Sequence, residues 1–250
     1  MQFLMPLLIS SIAGLSTTFG AFIIFLKIKK ENINKFITIC LSFSLAIMIG
    51  ISLTDLIPSS LNILLKKDLN KGIIISIIAF LTGTFSIKYL ITKITKIKNN
   101  TNSLYKLGIL NMIALMLHNF PEGIATFLSS YQDLTVGIHL GIAIMLHNIP
   151  EGISIAVPIY YATNSKKEAL KKTLISGFAE PIGAILAFIL FKNFITNEFI
   201  SLILLLVAGI MITISIEEIF PETLKYQEKK ALLKGLLLGI ILILLNHFFL

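Results

Sequence analysis

The sequence predicts an all-α integral membrane protein of eight transmembrane helices, with helices 1–3 and 6–8 as inverted repeats around a central 4/5 pair. Three observations predict it. The 250 residues are 56% hydrophobic and only 14% charged, against about a quarter charged in a soluble domain. The apolar residues come in blocks close to the ~20 residues that span a bilayer. One seven-residue word is spelled twice inside two such blocks, His118-Asn119-Phe120-Pro121-Glu122-Gly123-Ile124 and His147-Asn148-Ile149-Pro150-Glu151-Gly152-Ile153.

The apolar segments cover 3–26, 36–57, 72–92, 107–128, 135–161, 173–191, 199–220 and 231–250. Short connections join them, so residues 1–250 read as one domain. Segment 1 has no basic region before it and no small-residue cleavage site, so it reads as a retained helix rather than a signal peptide. The cations that divide the segments fix the orientation. All 21 basic residues are lysines, and only Lys66, Lys67, Lys71 and Lys192 fall between segments 2 and 3 or 6 and 7. The rest follow segments 1, 3, 5 and 7 or, as Lys88 and Lys234, lie at the adjoining ends of segments 3 and 8. The positive-inside rule puts that majority in the cytoplasm and both termini outside, in a multi-pass cell-membrane protein. Segment 6 is preceded by Ser165-Lys166-Lys167-Glu168, a capping-box pattern, so its helix is expected to begin in water.

The formal net charge of +8 does not imply a nucleic-acid partner. There is no arginine for bidentate phosphate contacts, and the lysines are placed as topology signals. The single Cys40 excludes an intrachain disulfide and a cysteine-based zinc site.

A second echo supports inverted repeats. Thr54-Asp55-Leu56-Ile57-Pro58-Ser59-Ser60-Leu61 ends segment 2, and Glu217-Glu218-Ile219-Phe220-Pro221-Glu222-Thr223-Leu224 ends segment 7. Each has an acidic residue three before a proline and a leucine three after it. Segments 2 and 7 run in opposite directions, as do segments 4 and 5, which is the pattern of a transporter with inverted repeats.

At about 100° per residue, Glu122 projects between His118 and Asn119, and Glu151 between His147 and Asn148. Proline cannot donate to the carbonyl four residues back. The Leu117 and Leu146 carbonyls are therefore released at mid-membrane, where polar company is expected. Segment 6 adds Glu180-Pro181 at a similar depth. Three carboxylates without a lysine in a low-dielectric slab call for a divalent cation. Imidazole, carboxylate and amide oxygen suit Zn²⁺, Fe²⁺, Mn²⁺ or Co²⁺ rather than Cu(I). On this geometry Glu122 and Glu151 bridge two ions, one on the His side and one on the Asn side, and Glu180 joins the second. Asp55, Glu217 and Glu218 lie near helix ends, where a place on the ion pathway and plain solvation fit equally. His139 and His247 fall near the outer surface and read as structural.

Two other functions compete. An intramembrane zinc hydrolase would use an open water position and a separate acid or base, and HExxH is absent. A proton channel or carrier explains the glutamates but not the duplicated asparagines.

With its paired HNxPEG words and the Glu-Pro of segment 6, the chain resembles the ZIP (Zrt-, Irt-like) divalent-metal transporters along its whole length, most closely their bacterial zinc-uptake, ZupT type. The resemblance implies zinc uptake into the cytosol, with iron, manganese and cobalt as further cargo. It also implies a homodimer, alternating access by one helix bundle sliding against another, and no enzymatic activity or resident cofactor. Its binuclear site would use His118, Asn119, Glu122, His147, Asn148, Glu151 and Glu180, and the family's inner acidic pair is matched by Glu217-Glu218. Residues 93–106 depart from the family, being rich in lysine and asparagine where many members carry a histidine-rich loop.

Overall fold

The computed structural model describes residues 3–97, 103–191 and 196–249. Lys192, the His247 side chain and residues 98–102 of the expected inner loop lie outside that set. Among the described residues every regular element is helical. Helix α1 (Leu4–Ala21) ends in a 3₁₀ turn at Phe22–Phe25. Helices α2 (Ile33–Ile51) and α3 (Ile57–Lys67) join through a π turn at Ser52–Leu56. Helix α4 is Leu69–Ile97, α5 Ser103–Gln132 and α6 Leu134–Thr163. Helices α7 (Lys166–Gly177) and α8 (Ala179–Leu186) meet at Phe178. Helices α9 (Asn197–Ile214) and α10 (Phe220–Leu224) join through a π turn at Ser215–Ile219, and α11 is Lys229–Phe249.

Local chemistry accounts for these boundaries. Asp133 caps α6, its Oδ1 accepting from the N–H groups of Thr135 at 2.8 Å and Val136 at 3.2 Å. Ser165 Oγ caps α7 by accepting from Glu168 N–H at 3.2 Å. The return half of the expected capping box is not made. Ser165 N–H donates to Thr163 Oγ1, and Glu168 pairs with Lys172 instead. Segment 6, expected as one helix, is interrupted at Phe178 because Pro181 has no N–H for the Gly177 carbonyl. Pro58 and Pro221 withhold the same bond from Thr54 and Glu217, and there the chain takes up the defect as π turns. Helices α5 and α6 run straight through Pro121 and Pro150.

Six stretches among the described residues are long and apolar enough to cross a membrane: Leu4–Phe25, Lys30–Lys67, Leu69–Lys93, Leu134–Thr163, Lys166–Ile189 and Asn197–Leu224. Helix α4 leaves Ile74, Ile77, Ile78, Leu81 and Phe85 exposed. So large an apolar face is unsuited to water and suited to lipid.

Packing centres on α5 and α6, which lie against each other. Helix α1 lies along α6, α8 along α5, α2 along α11 and α4 along α9. Glycines set how close the inner contacts are. A Cβ at Gly152 would strike the Thr17 carbonyl oxygen, and one at Gly20 the Ile149 carbonyl oxygen. Across the other contact, Gly123 meets the Glu180 backbone and Gly183 the Phe120 carbonyl. Gly14 and Gly177 each face the other's carbonyl where α1 meets α7. Backbones come this near because at least one partner in each contact lacks a side chain. The glycine of each repeated word is thereby the point where an outer helix presses onto the central pair.

Candidate metal centre

The two repeated words bring four side chains together between α5 and α6. His118 Nε2 lies 3.1 Å from Glu122 Oε1 and 3.5 Å from Glu151 Oε1. His147 Nε2 lies 3.0 Å from the same Glu122 Oε1. Donor atoms of His118, Glu122 and His147 all fall within 4.8 Å of one another. Helical spacing alone sets Glu122 between His118 and Asn119 of its own helix. In the structure it sits between two histidines, one from each helix, because α5 and α6 present the same face to each other.

The asparagines and Glu180 make a second group. Asn148 Nδ2 donates to Glu180 Oε1 and, at 2.9 Å, to the Ala13 carbonyl. Asn119 does not meet Glu180 through its amide nitrogen, which donates to the Ser176 carbonyl at 3.4 Å. Among the described residues its amide oxygen is buried without a hydrogen-bond partner, as are Asn148 Oδ1, Glu122 Oε2, Glu180 Oε2 and both Glu151 carboxylate oxygens. Six unpartnered oxygens on five buried side chains form a donor set that attracts a cation. Without one, leaving these buried acceptors unpaired would be costly. Hard and borderline divalent ions take this mixture of imidazole nitrogen, carboxylate and amide oxygen.

Serine hydroxyls reach the backbone at and beside the second word, at the Met145 and Pro150 carbonyls rather than at the Leu117 and Leu146 carbonyls that the prolines release. Ser16 Oγ donates to the Met145 carbonyl at 3.1 Å, and Ser44 Oγ to the Pro150 carbonyl at 3.0 Å. Asn111 Nδ2 donates to the Ser154 carbonyl at 2.9 Å and ties α5 to α6 at the residue just after the second word. Their signal in the sequence was only a polar residue inside an apolar block.

A cavity of about 540 Å³ leads to the cluster. Glu122 and His147 line its floor, and Asp55, Ser59, Gln132, Asn197 and Ser201 line the way out to the ends of α5 and α9. At the opposite end of the molecule the acidic residues are paired. Glu217 meets Lys88 at 2.6 Å, Glu218 meets Lys106 at 3.4 Å, and Glu222 meets Lys225 at 2.6 Å and the Ser103 hydroxyl at 3.1 Å. Asp55 therefore faces the cavity, while Glu217 and Glu218 are held by lysines. His139, read as structural, bonds the Thr135 carbonyl of its own helix from an exposed position.

The ZIP zinc transporter family model matches residues 92–247. The chain is similar along nearly its whole length to bacterial proteins named zinc transporter ZupT. That of Streptococcus mutans is 36% identical over 249 residues, covering 94% of this chain and 93% of the relative. That of Oceanobacillus iheyensis is 36% identical over 257 residues, covering 96% and 95%. That of Chlorobaculum parvum is 38% identical over 248 residues, covering 92% and 91%.

Proposed function

The chain belongs to the ZIP zinc transporter family, and from that premise we propose that it carries divalent transition-metal cations, zinc foremost, across the cell membrane into the cytosol. The observation that carries this reading is the buried His118–Glu122–His147–Glu151 cluster at the floor of a cavity that opens at one end of the molecule. The ligand set proposed is His118, Asn119, Glu122, His147, Asn148, Glu151 and Glu180. One ion sits among the histidines and the two central glutamates, and a second sits toward Asn148 and Glu180. Radioactive zinc uptake into proteoliposomes, with competition by iron, manganese and cobalt, tests the reading. Saturable zinc entry that these ions inhibit is the expected result, and entry no faster than through protein-free liposomes would end it.

We place eight helices across the membrane, adding α5 and α11 to the six apolar stretches, with segments 1–3 and 6–8 as inverted repeats. The contacts support the repeat. One constant offset in numbering relates Gly14 to Gly177, Thr17 to Glu180, Gly20 to Gly183, Ser52 to Ser215 and Asp55 to Glu218. Contact partners follow the same exchange: α1 with α6 answers α8 with α5, and α2 with α11 answers α9 with α4.

The lysine asymmetry assigns the cavity end to the outside and the Lys88–Glu217 and Lys106–Glu218 pairs to the cytoplasmic end. The conformation then reads as open outward and closed inward. Asp55 is the acidic residue met on entry, and Glu217 and Glu218 receive the ion once their lysines let go. Single cysteines in a Cys40→Ala background test the orientation. Lys66→Cys is expected to react with a membrane-impermeant maleimide in intact cells, and Lys167→Cys only after permeabilisation. The reverse pattern would invert the proposed direction of transport. Homodimerisation rests on the family resemblance alone, and crosslinking in native membranes tests it.

A further inference from the structure

The inverted repeat has one mismatch at the metal site. The offset that pairs glycine with glycine at 14/177 and 20/183 pairs Thr17 with Glu180. The backbone contacts around the two positions correspond, although α1 is continuous where α7 and α8 part at Phe178 and Thr18 stands where the other half has Pro181. The Glu180 backbone presses on Gly123 of the first word, and the Thr17 backbone presses on Gly152 of the second. Asn148 donates to the Ala13 carbonyl, and Asn119 donates to the carbonyl of Ser176, the counterpart of residue 13. Gly14 makes room for the Glu180 side chain, since a Cβ there would stand 2.7 Å from Glu180 Cβ and 3.2 Å from its carboxyl carbon. Gly177 faces Thr17 in the same way, with 3.5 Å between its would-be Cβ and Thr17 Cβ.

The chemistry differs where the geometry does not. Glu180 Oε1 accepts from Asn148. On the mirror side Thr17 Oγ1, Asn119 Oδ1 and Ser176 Oγ are all buried, and among the described residues none has a hydrogen-bond partner. A buried hydroxyl therefore stands at position 17 where the other half of the repeat has a carboxylate, with Gly177 facing it as Gly14 faces Glu180.

We propose that Thr17 is the charge-setting residue of the transport site, a neutral occupant of the place that mirrors Glu180, which keeps the bound ion pair exchangeable. The inference rests on the binuclear, inverted-repeat reading above. Two divalent ions carry four positive charges, and Glu122, Glu151 and Glu180 supply three negative ones. The loaded site keeps one positive charge in a low-dielectric interior, and that residue of repulsion favours release. A carboxylate at position 17 would balance the site and hold both ions. Thr17 thus bears on turnover and on the choice between the two Asn flanks, while the histidine cluster is unchanged.

The test transposes the carboxylate. Glu180→Thr is expected to lower zinc uptake, and the double variant T17E/E180T to recover most of the parent rate, since it rebuilds the same charge against Asn119. Thr17→Glu alone is expected to lower the half-saturating zinc concentration by at least about tenfold, as an added charge a few Å from an ion should at an effective dielectric near 20. Its maximal rate is expected to fall as release slows. Thr17→Gln, of similar size but neutral, should show no such tightening. A double variant no faster than Glu180→Thr would overturn the proposal, and so would a Thr17→Glu protein that loses rate without binding more tightly. Failure of Thr17→Glu to reach the membrane would refute the correspondence with Glu180 itself. Glu122→Ala, measured alongside, separates the two levels: if it transports at the parent rate the metal-site reading fails, whereas a dead Glu122→Ala with no rescue by transposition removes only Thr17's role.

Discussion

Replacing Glu122 by alanine is expected to abolish zinc uptake, and Glu151→Ala to do the same. Glu122 Oε1 stands 3.1 Å and 3.0 Å from the two histidines, so its loss strips the shared anionic centre from both words at once. Glu151 is fully buried and offers two unpartnered oxygens to the same space. Truncating one partner of a buried charged contact costs about 2–5 kcal/mol of affinity, which is roughly 30-fold or more in ion binding. Glu122→Gln separates charge from shape, since it fills the same space without the charge and should fail almost as completely. Uptake and metal stoichiometry are measured after membrane insertion has been verified. Parent-rate transport by both alanine variants would make the repeated word a helix-packing device and nothing more.

Gly152→Val is expected to prevent accumulation of folded protein. A Cβ there runs into the Thr17 carbonyl, a backbone atom that cannot rotate away, and the α1–α6 contact would have to open. Overpacking of this kind costs about 1–3 kcal/mol even where side chains yield, so a backbone collision should reach or exceed the top of that range. Gly50→Ala is the control. Its Cβ would meet the end of the flexible Ile243 side chain, which has other rotamers available. Protein yield and thermal stability in detergent decide the matter. Equal stability of the two variants would show that the α1–α6 approach is looser than these contacts imply.

Much of the site was legible in the sequence because it is written twice. His118, Glu122, His147 and Glu151 were identified by residue type and spacing, and the helices do bring them to one place. The π turns were not foreseen, although their cause was visible. Pro58 and Pro221 each remove one backbone donor, but whether a helix kinks, breaks or widens depends on what packs beside it. Pro121 and Pro150 carry the same local defect inside helices that run on unbroken.

The sequence by itself determined the membrane character and the helical class, and it supplied an orientation signal and an inventory of candidate ligands. These follow from composition, block length and periodicity, which are properties of the chain alone. Only the tertiary structure decided which of these side chains come together. Periodicity states which face of a helix carries a residue, but not which helix that face meets. Glu122 therefore turned out to serve His147, 25 residues away, as closely as His118 on its own helix. Asn148 rather than Asn119 holds Glu180 for the same reason: the crossing points of the helices are set by where Gly14, Gly20, Gly123, Gly152, Gly177 and Gly183 let backbones touch. Close contact between distant glycines is a relation between pairs of helices, and no window along the chain contains it.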